Sequence, residues 1–191
     1  MFRSARRLSR IVAIAAVLAS CAPAYDPQTD NEITLLRQTT DEGIVRLIAL
    51  AGEINSLGGA ANAHAAPSLA QTCSDQHLAA VGSPSLRKQL SQACSEASYD
   101  ANLNWYVAII SGLKGLESRM TASPDFATSS LHTEFAKLEE NIALLQGLHL
   151  RNRYVGEAAL TAIRTPINAE YGTLLHYELA LRGGKNPLGG R

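Results

Sequence analysis

A chain of 191 residues with 17 Lys and Arg against 17 Asp and Glu has a formal net charge of zero, which excludes a nucleic-acid binder driven by basic excess. The length suits one domain, and 46% hydrophobic residues suffice to bury a core, which excludes global disorder. Aromatics are only 5%, and the abundance of Ala and Leu favours packed helices over an all-β fold.

Residues 1–10 hold Arg3, Arg6, Arg7 and Arg10 and no acid, and residues 11–19 (IVAIAAVLA) are a short apolar run. As a helix this run rises about 13–14 Å, against a bilayer core of roughly 30 Å. A basic stretch followed by a short apolar one is the pattern of a secretory signal peptide, so residues 1–20 stand outside the fold. The rival reading is a short buried helix, which the four flanking arginines disfavour. The Arg6-Arg7 pair admits twin-arginine export, but the rest of the segment fits the general secretory route better. Removing residues 1–20 leaves 13 basic against 17 acidic residues, so the mature chain carries a net charge of −4. That strengthens the exclusion of nucleic acid and weakens electrostatic attachment to anionic lipid.

Leu18-Ala19-Ser20-Cys21 follows the apolar run directly and resembles the lipobox of bacterial lipoproteins, in which the cysteine becomes the lipidated first residue. The alternative is an ordinary signal peptide with a chance cysteine. The resemblance implies three acyl chains on Cys21, and no other cofactor is expected. At about 0.8 kcal/mol per buried CH₂, more than one chain is needed for a permanent anchor. Ala22 follows Cys21 where an Asp would retain the protein in the inner membrane. By likeness to lipoproteins of enteric type, this implies the outer membrane with the domain facing the periplasm. The cell surface and the inner membrane are the alternatives.

With Cys21 assigned to lipid, Cys73 and Cys94 remain. An even pair in an exported domain reads as a disulfide, here closing a loop worth roughly 3 kcal/mol in the chain-entropy model. Two free thiols and a metal site are the rivals. A metal site needs four ligands, and only His77 lies near in sequence.

Residues 21–29, the cysteine followed by APAYDPQT, form a tether that reaches at most about 25–30 Å. Asp30 is a helix cap followed by polar and acidic residues. Ile33, Leu36, Leu47, Leu50, Ile54 and Leu57 then fall on one heptad frame, with Thr40 and Gly43 as weak positions, and Gly58-Gly59 ends the helix. Residues 59–84 lack clean periodicity and leave room for a short helix at 68–80. Ser83-Pro84 opens a second helix running to about Ala122, with Tyr106, Ile109, Leu113, Leu116 and Met120 as its stripe. Ser123-Pro124-Asp125 breaks it. A third helix covers roughly 126–150 through Leu131, Phe135, Leu138, Ile142 and Leu145. A fourth covers about 154–182 through Leu160, Ile163, Ile167, Tyr171, Leu174 and Leu181, and Pro166 should kink or break it. Residues 183–191 form a tail. The expected fold is all-α: an antiparallel up-down four-helix bundle over 30–182, with a disulfide-closed loop between helices 1 and 2.

The five histidines are His64, His77, His132, His149 and His176, and no pair is spaced i, i+4. HExxH, ExxH, CxxCH and GxSxG are all absent from the sequence, so no catalytic and no metal-ligating residue is assigned and no enzyme is expected. His149 continues the third helix's stripe inward. Up-down topology brings Tyr99, Asn102 and Glu157 to the same end, so His149, Tyr99 and Glu157 make a candidate polar site. It reads either as a hydrogen-bonded core histidine or as a small-ligand pocket. Glu178 also falls on an inward register, at the tether end that His132 could reach too, and reads as a salt bridge or boundary carboxylate. Arg151 and Arg153 suit the C-terminal end of the third helix. Trp105 and Tyr106 bracket the core boundary, unless Trp105 is exposed for a partner.

Cys21 with its lipobox, Tyr25-Asp26-Pro27, Thr29-Asp30, Ile33, Leu36, Ile167-Asn168, Leu174-Leu175 and Glu178-Leu179-Ala180-Leu181 together resemble small helical proteobacterial lipoproteins of unassigned function. Segment 71–95 with its two cysteines departs from that pattern. The resemblance implies a membrane-anchored envelope module that contacts another envelope component, and it supplies no catalytic residues. The alternative is a small-ligand or metal-binding bundle with a pocket near His149.

Overall fold

Asp26 opens the first helix. Its carboxylate accepts the Gln28 backbone N–H at 3.0 Å and the Thr29 hydroxyl at 2.7 Å. Pro27 takes the first helical position, where a missing N–H leaves no bond unmade. Helix α1 therefore spans Pro27–Gly59 and starts ahead of the Asp30 cap expected from the sequence. The computed structural model describes residues 26–59, 68–121 and 130–183. The signal segment 1–20, Cys21 and the tail from 184 onward lie outside the described residues. After α1 come α2 (Leu69–Thr72), α3 (Asp75–Ala80), α4 (Pro84–Ala97), α5 (Tyr99–Met120), α6 (Ser130–Asn152) and α7 (Glu157–Arg182). Every element among the described residues is helical, so the fold is all-α.

The one helix expected over 84–122 is in fact two. Ser98 leaves helical geometry at φ −70° and ψ 153°, and its hydroxyl accepts the Ala101 N–H at 3.3 Å. Asp100 follows in the first turn of α5. This is a good capping signal. The apolar repeat masks it because Leu90, Ala93, Ala97, Asn102 and Tyr106 are buried on both sides of the break. Among the described residues there are thus four helices of 22 to 33 residues and the shorter α2, α3 and α4, a larger set than the four expected.

Helix α1 packs against α4, α5 and α7, and α6 packs against α5 and α7. Glu32, Leu36, Gly43 and Arg46 of α1 meet Arg119, Gly112, Trp105 and Asn102 of α5, so these two helices run in opposite senses. Thr40, Asp41 and Gly52 meet Tyr171, Arg164 and Glu157 of α7, which is again opposed. The stripes of all four long helices form one core in which Ile33, Ile44, Ile54, Tyr106, Leu116, Leu138, Leu145 and Leu160 lose all solvent contact. Each such side chain contributes about 1.5–3 kcal/mol relative to exposure.

The two weak positions of α1 are buried contacts. Thr40 shares a hydrogen bond of 3.1 Å with the Tyr171 hydroxyl. Gly43 leaves room for the Trp105 indole, whose N–H donates to the Thr39 carbonyl at 3.0 Å. Helix α7 runs through Pro166 without a break. The bond that proline removes would have gone to the carbonyl of Ala162, an exposed residue that water reaches. Cys73, which ends α2, and Cys94 in α4 form a disulfide with their Cα atoms 5.6 Å apart. The bond holds α2 where Thr72 covers Gly58 of α1.

Candidate functional site

The end of α6 meets the α4–α5 corner. His149 comes from the last turn of α6 and has no solvent exposure. One ring nitrogen, Nε2, lies 2.9 Å from the Ala97 carbonyl, and the other, Nδ1, lies 3.0 Å from the Tyr106 hydroxyl. A carbonyl only accepts, so Nε2 carries the proton and donates to it. Nδ1 then accepts from the Tyr106 O–H. Burial pushes the His149 pKa below its ordinary value and favours this neutral ring. Burial likewise raises the Tyr106 hydroxyl, which stays protonated and donating.

Tyr99 closes the cluster with its ring. It stacks on Tyr106 at 5.7 Å and presents its edge geometry to His149 at 5.6 Å. Its hydroxyl accepts from Gln146 Nε2 at 3.2 Å, and its backbone N–H donates to the Arg153 carbonyl at 3.0 Å. Arg153 reaches that position with φ 61°, the left-handed conformation common one residue past a helix end. Asn102, 1% exposed, ties the corner from the other side. Its Nδ2 donates to the Glu96 and Ser98 carbonyls at 2.9 and 2.8 Å, and its Oδ1 accepts from Arg46 at 2.5 Å.

The structure thus brings His149 and Tyr99 together and leaves Glu157 apart. Glu157 is exposed in the first turn of α7 and lines a separate groove of about 1140 Å³. Asn55, Leu69, Arg151, Tyr154 and Thr161 also line it. Sequence reasoning missed the Ala97 carbonyl and the Tyr106 hydroxyl as the partners of His149. Tyr106 sat in an apolar stripe, and nothing in a spacing pattern says where its hydroxyl points.

A second polar group joins α1 to α7. Arg164 Nε and Nη2 donate to the two Asp41 oxygens at 2.6 and 2.9 Å, and Asn168 Nδ2 donates to Oδ1 at 2.6 Å. The Arg164 bond holds the Asp41 carboxyl below its usual range. With side-chain exposures of 40% and 30%, this two-pronged pair is a rim contact worth about 0.2–1 kcal/mol. Glu170 and Glu178 on α7 are 7% and 5% exposed, and each has one carboxylate oxygen, Oε2, without a partner. Glu170 Oε1 accepts from Asn141 at 2.8 Å. Trp105 is half-buried, with its indole turned into α1.

Among the described residues no group of three His, Cys, Asp or Glu side chains is placed to hold a metal ion, and no helix is long and apolar enough to cross a membrane. Comparison with protein-family models, curated proteins and solved structures finds no match.

Proposed function

We propose that this protein is a lipid-anchored, periplasm-facing lipoprotein of the bacterial outer membrane whose helical domain is a non-catalytic structural or interaction module. One observation carries the choice of a module over a chemical site. His149, the best candidate for chemistry, is fully enclosed and engages both ring nitrogens with Ala97 and Tyr106, which leaves no ring atom to meet a substrate. Its cluster acts as a lock that fixes the α4–α5 corner against α6.

The anchored reading is supported by the arginine-rich start, the short apolar run and the Leu18-Ala19-Ser20-Cys21 lipobox. In this reading α1, α5, α6 and α7 act as an antiparallel four-helix bundle braced by α4, which the opposed residue pairs along α1 favour. A small-ligand role is favoured by one observation, the groove beside Glu157, and would place the ligand there and not at His149.

Fractionation of cells tests the anchor. The protein is expected in the membrane fraction, extractable by detergent and resistant to high salt, and Cys21→Ser is expected to move it into the soluble fraction. A Cys21→Ser protein that stays with the membrane overturns the lipid anchor.

A further inference from the structure

Helices α1 and α7 pack with opposite senses, Thr40 facing Tyr171 and Asp41 facing Arg164, and this register sets the first turn of α1, with Thr29 and Ile33 buried, beside the last turns of α7. Glu178 lies on this stretch of α7, is 5% exposed, and has an Oε2 with no hydrogen-bond partner. A buried carboxylate without a full set of donors is costly, whereas the neutral acid is tolerated.

The groups around Glu178 make the charged form worse. From α1, Asp26 and Asp30 act on it as like charges. Asp26 is held ionised by the Thr29 hydroxyl and the Gln28 N–H, so it keeps its charge across the neutral range. The basic group that α5 sends to this turn is Arg119, which pairs with Glu32 at 3.0 Å and acts on Asp26. From α6, His132 acts on Glu139. On α7, Arg182 follows Glu178 by four residues and has an interaction of its own, and Glu170 lies two turns back and faces Asn141, Glu134, Lys137 and Glu140. The Asp26 backbone N–H is the group that favours an ionised Glu178, and it is outweighed. Burial first, and then the two aspartates, push the carboxyl up to about 7.

We propose that Glu178 is a proton-operated latch: protonated, it lets the first turn of α1 dock on α7, and ionised, it drives that turn off. The docking contribution is full below the ordinary glutamate value and is lost as pH rises through about 7. The latch stands on the described residues alone. Its consequence rests on the lipid anchor at Cys21: each residue that leaves the helix lengthens the tether by about 2 Å, so the domain stands farther from the membrane at higher pH.

Hydrogen exchange read by mass spectrometry on the purified mature chain tests the latch, with rates normalised for the intrinsic pH dependence of the chemistry. Exchange across residues 26–33 is expected to rise roughly tenfold between pH 6 and pH 8, following the ionised fraction of one group, while α5 and α6 stay level. Glu178→Gln should abolish the rise. Asp30→Asn, which removes one repelling charge, should move the midpoint to lower pH. A level profile in the unmodified chain, or an unchanged rise in Glu178→Gln, overturns the proposal. The readout does not depend on the anchor, so failure of the latch and failure of the lipoprotein reading are separable.

Discussion

Gly43→Ala is expected to destabilise the domain by about 2–3 kcal/mol, while Gly52→Ala, the same substitution further along the same helix, stabilises it by about 0.5–1 kcal/mol. A methyl group at Gly43 would overlap Nε1 and Cε2 of the Trp105 indole, and the ring is too large to yield by a small shift. It must leave its seat, losing the N–H bond to the Thr39 carbonyl and its packing on α1. The helix-propensity gain of about 1 kcal/mol is smaller than that loss. At Gly52 the nearest atom is a Glu157 carboxylate oxygen at 3.9 Å, ordinary contact distance, so only the propensity gain remains. Urea denaturation followed by circular dichroism measures both. Trp105 is the chain's one tryptophan, so its fluorescence reports the displacement directly. A red shift is expected for Gly43→Ala and none for Gly52→Ala. Equal stabilities in the two variants would contradict the close α1–α5 approach.

Breaking the Cys73–Cys94 bond is expected to cost about 3 kcal/mol, the chain-entropy value for a loop with a sequence separation of 21. The loss should be local in its first effect. Helices α2 and α3 are too short to persist alone, and α2 is held to α1 through Thr72 over Gly58. A Cys73→Ser, Cys94→Ala double variant should therefore lose amide protection over 68–81 before the core, with a lower denaturation midpoint. Adding reductant should reproduce this in the unmodified chain and change nothing in the variant. Both thiols labelling readily without reductant would refute the bond.

The core stripes of all four long helices were legible because burial repeats at the helical period. Ile33, Leu47, Ile54, Ile109, Leu113, Phe135, Ile142, Ile167 and Leu174 are all buried where spacing placed them. What spacing conceals is the identity of the atom opposite. Thr40 and Gly43 look like faults in a heptad until Tyr171 and Trp105 are seen across from them. The same limit applies to the candidate site. Register placed His149 inward at the end that holds Tyr99 and Asn102, but it did not reveal that Tyr106 and a main-chain carbonyl complete its bonds. Glu157 was carried along by topology, because the start of α7 lies near the end of α6, where both line one groove, and its side chain is exposed there. The break at Ser98 was written in a serine cap and an acidic first turn, and an unbroken apolar repeat outvoted both.

Among the described residues, His149, Asn102 and Trp105 each donate a hydrogen bond to a main-chain carbonyl of the domain itself. In the proposed reading, its place in the cell depends on Cys21. Mass spectrometry of the N-terminal peptide from protein isolated with its native membrane tests that most directly. The expected result is a peptide beginning at Cys21 and carrying the mass of three acyl chains. A peptide beginning elsewhere, or a Cys21 bearing a free thiol, would contradict the assignment of this chain as a lipid-anchored module.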